Sequence, residues 1–262
     1  AIVETYRRHH LDALVCIGGD GTLTMANRLY EHGFPVVGVP KTIDNDVMET
    51  DLTFGFNSAV SIVMDAIDNL HSTAMSHHRV MVVEVMGRYA GWLALFAGVA
   101  GGGDVLLLPE IPYDLESIFR RVIDRSNHGK RFSIVVVAEG VVPKGEKLEK
   151  TKSWKSQLGG IGNHLSNLIQ EKTDLETRPV ILGHLQRGGP PTAFDRLLAT
   201  QFGVKAADLI DKGEFGRMAS LKGKEIVSVP MKDAIKNLKL VPADHSLIRA
   251  ARAVGTCFGI ED

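Results

Sequence analysis

Short, nearly continuous apolar runs punctuate this chain at residues 11–17, 35–39, 80–85, 105–108, 133–138, 179–182 and 226–229, with amphipathic stretches between them. A strand that is apolar at every position, rather than at alternate ones, has to be covered on both faces. Covered strands spaced by helices make a mainly parallel sheet, so the fold class is α/β. Composition agrees: 262 residues that are 44% hydrophobic can build one large or two small domains with a sizeable core.

The first βαβ unit is the clearest. A strand over 11–17 leads into Gly18-Gly19-Asp20-Gly21-Thr22, then a helix over about 22–31 with Thr22 as N-cap and Gly33 as its stop, then a strand over 35–39. Parallel strands end on the same sheet edge, where open α/β folds bind ligands. GGDGT and the following PKTIDND (residues 40–46) are therefore expected to face a common cleft.

A net charge of -1 argues against a nucleic-acid surface, so any phosphate binding must be local. The two cysteines, Cys16 and Cys257, have no metal-ligand spacing and fit a reducing, cytoplasmic compartment. No apolar run approaches the roughly 20 residues a membrane span needs, and no signal peptide is visible. The opening AIVETYRRHH does not start with Met and reads as a helix already under way, which is expected of a fragment. The charge-rich stretch 143–157 reads as a solvated loop or insertion.

GGDGT is neither a dinucleotide fingerprint nor a P-loop, because Thr24 replaces the third glycine and no Gly-Lys-Ser/Thr follows. Its glycines still let backbone approach a phosphate. Asp20 belongs there if a divalent cation lies between it and the phosphate, since Mg²⁺ takes one or two carboxylates plus phosphate oxygens. A tight turn with a solvated aspartate is the competing reading. In TIDND, Asp44 and Asp46 are two residues apart, so an extended loop points both the same way, with the Thr42 hydroxyl beside them. One can serve a cation while the other takes a proton from an attacking hydroxyl; an Asx-turn is the alternative.

Further strand ends carry more polar groups. MGRYAGW (residues 86–92) sets Gly87 and Arg88 near a helix start, where an anion meets a guanidinium and a helix dipole. Arg79 precedes that strand, Glu139 ends VVVAEG, and Arg178, His184 and Arg187 surround another Gly-Gly turn. Carboxylate, histidine and arginine together suit a phosphorylated sugar, although Arg88 can also pair structurally and His184 can be a core residue.

With DALVCIGGDGT, GVPKTIDND, HRVMVVEVMGRYAGWLAL, VVVAEG and VILGHLQRGGPPTAFDR in this order, the sequence closely resembles the phosphofructokinases, which phosphorylate fructose 6-phosphate at its 1-hydroxyl. GGDGT alone is less specific, since NAD kinases and lipid kinases share it. The resemblance implies two doubly wound lobes: a donor lobe of residues 1–56 and 188–230, and a sugar-phosphate lobe of 57–187 and 231–262. It implies ATP as donor and Mg²⁺ as cofactor, with Gly19, Asp20, Gly21 and Thr22 around the nucleotide phosphates, and Asp20 and Asp46 at the metal. Asp44 matches the catalytic base and Thr42 stands near the transferred phosphoryl. The implied substrate-binding set is Thr42, Ile43, Asp44, Met86, Gly87, Arg88, Glu139, His184, Leu185, Gln186 and Arg187, together with Arg79 and Arg178, which match arginines that enter a neighbouring subunit's site. A cytoplasmic homotetramer follows from the same resemblance, with no nucleic-acid or membrane partner.

Three departures stand out. The family's N-terminal strand, glycine-rich loop and phosphoryl-contacting arginine have no counterpart here, so the 262 residues by themselves are expected to have little kinase activity. Lys41 matches pyrophosphate-using members, whereas Gly21 matches ATP-using ones; ATP is favoured because an aspartate at 21 is the stronger block. The alternatives are a pyrophosphate-dependent enzyme or a non-catalytic sugar-phosphate-binding subunit. Met25 stands near the adenine position, and His71, Asp104 and Lys130 fall at effector positions, which implies that allosteric control is not of the usual form.

Overall fold

The computed structural model describes residues 2–145 and 159–260. Of the polar stretch 143–157, residues 146–157 therefore lie outside the described residues. In chain order the elements are α1 (Ile2–Arg8), β1 (Leu14–Gly18), α2 (Asp20–Glu31), β2 (Val36–Thr42), β3 (Phe54–Gly55), α3 (Phe56–His77), β4 (Val80–Val85), α4 (Trp92–Ala100) and β5 (Val105–Leu107). There follow α5 (Leu115–Asn127), β6 (Ser133–Ala138), α6 (Ile161–Thr173), β7 (Thr177–Ile181), a 3₁₀ turn (Gly183–Arg187), α7 (Ala193–Asp211), β8 (Arg217–Lys222), β9 (Glu225–Pro230), α8 (Met231–Ala234) and α9 (Ser246–Ala253). Among the described residues no helix is long and apolar enough to cross a membrane.

The chain divides into two compact units: Ala1–Asn57 with Pro191–Lys239, and Ser58–Pro190 with Leu240–Asp262. In the first unit the sheet runs β1-β2-β8-β9 with β3 beside β2. All pairs are parallel except the β8–β9 hairpin. The β2 strand shows why its sequence is apolar throughout. Val37 and Val39 pack on Leu198 and Phe202 of α7, while a Cβ at Gly38 would sit 2.9 Å from Leu23 Cδ2 of α2, on the other face.

Two features depart from the sequence reading. β8, RMASLK, has too few branched apolar residues to be read as a strand, and it is placed by pairing with β2 and by its hairpin. The chain leaves the first unit after Lys239, later than the crossing expected near residue 230, because Met231 and Ala234 of α8 are buried in that unit beside Val36 and Leu23. β1 also differs from the other core strands: Val15 and Ile17 are 43% and 57% exposed, so one of its faces is uncovered by the described residues.

The second unit carries a four-stranded sheet, β5-β6-β4-β7, parallel throughout. Every position of β4 and β6 is buried, which requires cover on both faces and explains runs such as SIVVVA. Because β6, β4 and β7 are neighbours and parallel, the segments after them start along one edge. These segments hold Glu139, the 86–91 loop and the 3₁₀ turn.

Candidate functional site

In the first unit, Gly18 of β1 is in register with Pro40 of β2, so GGDGT and TIDND leave the same edge side by side. They touch: a Cβ on Gly19 would lie 3.2 Å from Thr42 Cβ. A Cβ on Gly18 would lie 2.4 Å from Thr22 Oγ1, so glycine there lets the helix fold back over the strand end. The N-cap of α2 is Gly19, not Thr22 as the sequence suggested, and no side chain caps the helix. Asp20 is consequently the first helical residue, where its charge complements the helix dipole. Leu23 N already donates to Gly19 O at 3.0 Å, so the N–H groups of Asp20, Gly21 and Thr22 are the ones an anion can use.

Gly21 is unlike its neighbours. Nothing lies within 4 Å of a Cβ built on it, and its φ is not positive. Neither packing nor backbone conformation calls for glycine there, and the open space is of the kind a phosphate group fills.

The TIDND loop is not extended. Asn45 has φ +50, so the premise that two-residue spacing aims Asp44 and Asp46 alike fails. Both carboxylates are nonetheless buried, at 8% and 7% exposure. Asp44 N donates to Thr42 Oγ1 at 3.1 Å, and Ile43 is packed inside at 9% exposure. Thr53 clamps the loop twice, through Oγ1 to Thr42 O at 2.9 Å and N–H to Asn45 Oδ1 at 3.1 Å. Thr50 and Asp51 tie its far end to the β8–β9 hairpin through Leu221 and Gly223. No sequence pattern marked Lys239, yet its Nζ donates to Asn45 Oδ1, Thr50 O and Asp51 O. Burial lowers its ammonium from the ordinary value to about 8, with Asp51 and Asp46 pulling the other way.

Among the described residues no group of three or more His, Cys, Asp or Glu side chains could hold a metal ion alone. Asp20 forms no ion pair or hydrogen bond with a side chain among them. One or two carboxylates completed by phosphate oxygens is the ordinary donor set of Mg²⁺, so these residues fit that ion only together with a phosphorylated ligand.

In the second unit, three buried anchors hold the edge. Glu139 Oε1 accepts Arg88 N at 3.0 Å, and Gln186 Oε1 accepts Met86 N at 3.1 Å while Gln186 Nε2 donates to Gly183 O at 3.0 Å. Gly140 is the third, since a Cβ on it would fall 1.7 Å from Arg88 O. Gly87 and Arg88 adopt positive φ, +140 and +51, and the Arg88 side chain is left exposed. His184, Leu185 and Arg187 are exposed on the 3₁₀ turn, so His184 is not a core histidine. Gln186 differs from them: it is 1% exposed and its amide is engaged within the chain, so it braces the turn against Met86.

Arg79 and Arg178 are elsewhere. Val80 is in register with Thr177 and Met81 with Arg178, which puts both arginines at the amino-terminal edge, the end opposite Met86 and the 3₁₀ turn. The expectation that Arg178 shares an edge with His184 and Arg187 is thus corrected; β7 runs between them. Glu176 Oε1 bridges the two guanidinium groups at 2.8 and 2.5 Å, and the Arg79 hydrogen bond and charge hold its carboxyl below the usual range.

A model of the phosphofructokinase family matches residues 1–210. The ATP-dependent 6-phosphofructokinase of Spirochaeta thermophila is 54% identical over 264 residues, covering 99% of this chain and 72% of that protein. The chain belongs to the phosphofructokinase family. Its fold matches the solved phosphofructokinase of Saccharomyces cerevisiae with a TM-score of 0.76 at 32% identity, over 88% of this chain and 33% of that one. A pyrophosphate-dependent phosphofructokinase from Nitrosospira multiformis gives a TM-score of 0.83 at 22% identity, over 99% of this chain and 71% of the other, a likeness of fold alone. Within the phosphofructokinase fold, Asp104 and His71 are taken up internally: Asp104 pairs with Arg125 at 2.8 Å and accepts Ile134 N at 2.9 Å, and His71 Nε2 is 2.7 Å from Gly101 O.

Proposed function

We propose that this chain carries the ATP-dependent 6-phosphofructokinase reaction, transfer of the γ-phosphoryl group of ATP to the 1-hydroxyl of fructose 6-phosphate. The observation that carries the reading is the contact of two loops on one sheet edge: an uncapped helix start with open space at Gly21, against a buried loop holding Asp44 and Asp46. The 54% identity to an ATP-dependent relative supports the donor assignment.

In this reading the N–H groups of Asp20, Gly21 and Thr22 hold the donor's phosphates. Asp20 and Asp46 hold Mg²⁺, which neutralises charge on the donor's phosphates when bound. Asp44 accepts the proton of the sugar's 1-hydroxyl as that oxygen bonds to the γ-phosphorus and ADP leaves with the electrons of the broken P–O bond. Thr42 orients Asp44 through the Oγ1 that accepts its backbone N–H. Arg88, Glu139, His184 and Arg187 bind the sugar phosphate, with Met86, Gly87 and Leu185 shaping its surroundings. Arg79 and Arg178, on the far edge of their sheet, serve the site of a neighbouring copy in a homo-oligomer. The thiols of Cys16 and Cys257, which are not in a disulfide, suit the reducing cytoplasm.

Lys41 favours a second reading. It is exposed at the end of β2, next to Thr42, where it can add charge beside a pyrophosphate donor. A donor swap with the complete protein decides between them: bisphosphate formation from fructose 6-phosphate with ATP is expected, and turnover with pyrophosphate alone would reverse the assignment.

A further inference from the structure

Lys239 reaches the loop that bears Asp44 and Asp46 by side-chain contacts on three of that loop's residues. Its Nζ donates to Asn45 Oδ1 at 3.1 Å, Thr50 O at 2.8 Å and Asp51 O at 2.9 Å, and its backbone N–H donates to Asp46 O at 2.8 Å. An ammonium has three N–H donors, and the three acceptors named match that number. Asn45 is the pivot. It sits between Asp44 and Asp46 with φ +50, a conformation that persists in a non-glycine residue where its surroundings over-determine it. Here Asn45 Oδ1 accepts from both Thr53 N and Lys239 Nζ.

We propose that Lys239 is a positioning residue for phosphoryl transfer, clamping the loop through Asn45, Thr50 and Asp51 and thereby fixing where the carboxylates of Asp44 and Asp46 stand. The inference rests on the roles given to those two aspartates above. A purely structural lysine would support the fold of the first unit as a whole; a clamp on this loop acts on the chemical step and spares the sugar-binding residues of the second unit. Lys239 touches neither substrate in this account. It acts through Asn45, the residue between the two aspartates, and through Thr50 and Asp51 farther along the loop.

The test uses the complete protein. Lys239→Met keeps an unbranched apolar stem and removes the charge and all three donors. Its kcat with ATP and fructose 6-phosphate is expected to fall about ten- to a hundredfold, the usual scale for groups that orient reacting ones, while KM for the sugar phosphate stays within about twofold. Amide hydrogen exchange over residues 43–53 should speed up in the same variant without ligands. An unchanged kcat in folded Lys239→Met overturns the proposal, as does a rise in KM that accounts for the whole loss. Should Lys239→Met not fold, Asn45→Gly decides: glycine accepts the positive φ but lacks the Oδ1 acceptor, so kcat must still fall with KM retained, and full kcat sinks the idea. A wild-type protein inactive with either donor would overturn the roles of Asp44 and Asp46 instead, which separates that failure from this one.

Discussion

The two units hold their polar residues in opposite ways. In the first, the carboxylates of Asp44 and Asp46 are buried and the loop bearing them is sewn down by Thr53, Lys239 and the β8–β9 hairpin. In the second, the side chains of Arg88, His184 and Arg187 are exposed, and only the backbone beneath them is fixed, by Glu139, Gln186 and the absent Cβ of Gly140. Burying a carboxylate is unfavourable unless it is compensated, so a region that does it needs many internal bonds. A rim that waits for a soluble, charged ligand can leave its side chains in water. On the roles proposed above, the first unit carries the chemistry and the second the capture of the sugar phosphate.

The sharpest way to break that comparison is at Asp44. In the complete protein Asp44→Ser should lower kcat by roughly two to four orders of magnitude with little change in KM for fructose 6-phosphate, the usual scale for loss of a general base. Steady-state kinetics giving an unchanged kcat would remove Asp44 from the chemistry.

Two identical substitutions probe the same contrast at the backbone. Gly140→Ala forces a methyl to within 1.7 Å of Arg88 O, so the loop or the sheet edge must move. A loss of about 1–3 kcal/mol in chemical denaturation is expected, along with a raised KM for the sugar phosphate. Gly21→Ala meets open space at a permitted φ, so stability should stay within about 0.5 kcal/mol of wild type while KM for ATP rises. If Gly21→Ala left the ATP dependence untouched, the space around it would not be the donor's.

The smallest effect is expected at His245, in the second unit. Its Nδ1 accepts Leu247 N at 3.2 Å as the cap of α9, and Trp92 meets its ring edge-on with centroids 5.4 Å apart. Burial lowers its pKa below the ordinary 6.5, helped by Arg249 and opposed by Asp244. With the folded-state value depressed, the unfolded chain binds the proton more readily. The stabilisation is therefore complete above about 6.5 and is lost as pH falls through the lower folded value. Thermal melts from pH 7.5 to 5 should show a shallower decline for His245→Asn, which keeps a capping oxygen and does not titrate. Equal slopes would take His245 out of the acid response.

Legibility followed burial. β4 and β6 match the runs 80–85 and 133–138 residue for residue, because strands covered on both faces leave an uninterrupted apolar signal. β8 was illegible because its place depends on pairing with β2, not on its own RMASLK. The same holds in the site. The pairing of GGDGT with TIDND was readable from βαβ geometry, whereas the cap at Gly19, the bend at Asn45 and the clamp by Lys239 were not.

By itself the sequence determined the α/β class, the strand-end segments that carry the polar residues and, through the order of its motifs, the phosphofructokinase family, since periodicity and motif order are local properties of the chain. Tertiary structure alone decided which of those residues lie together. It set Arg79 and Arg178 at the opposite end of their sheet from Met86 and the 3₁₀ turn, because strand direction fixes the edge on which a side chain emerges. It also brought Lys239 from far along the chain onto Asn45, because a half-buried ammonium needs acceptors converging on it, and no local pattern encodes that convergence.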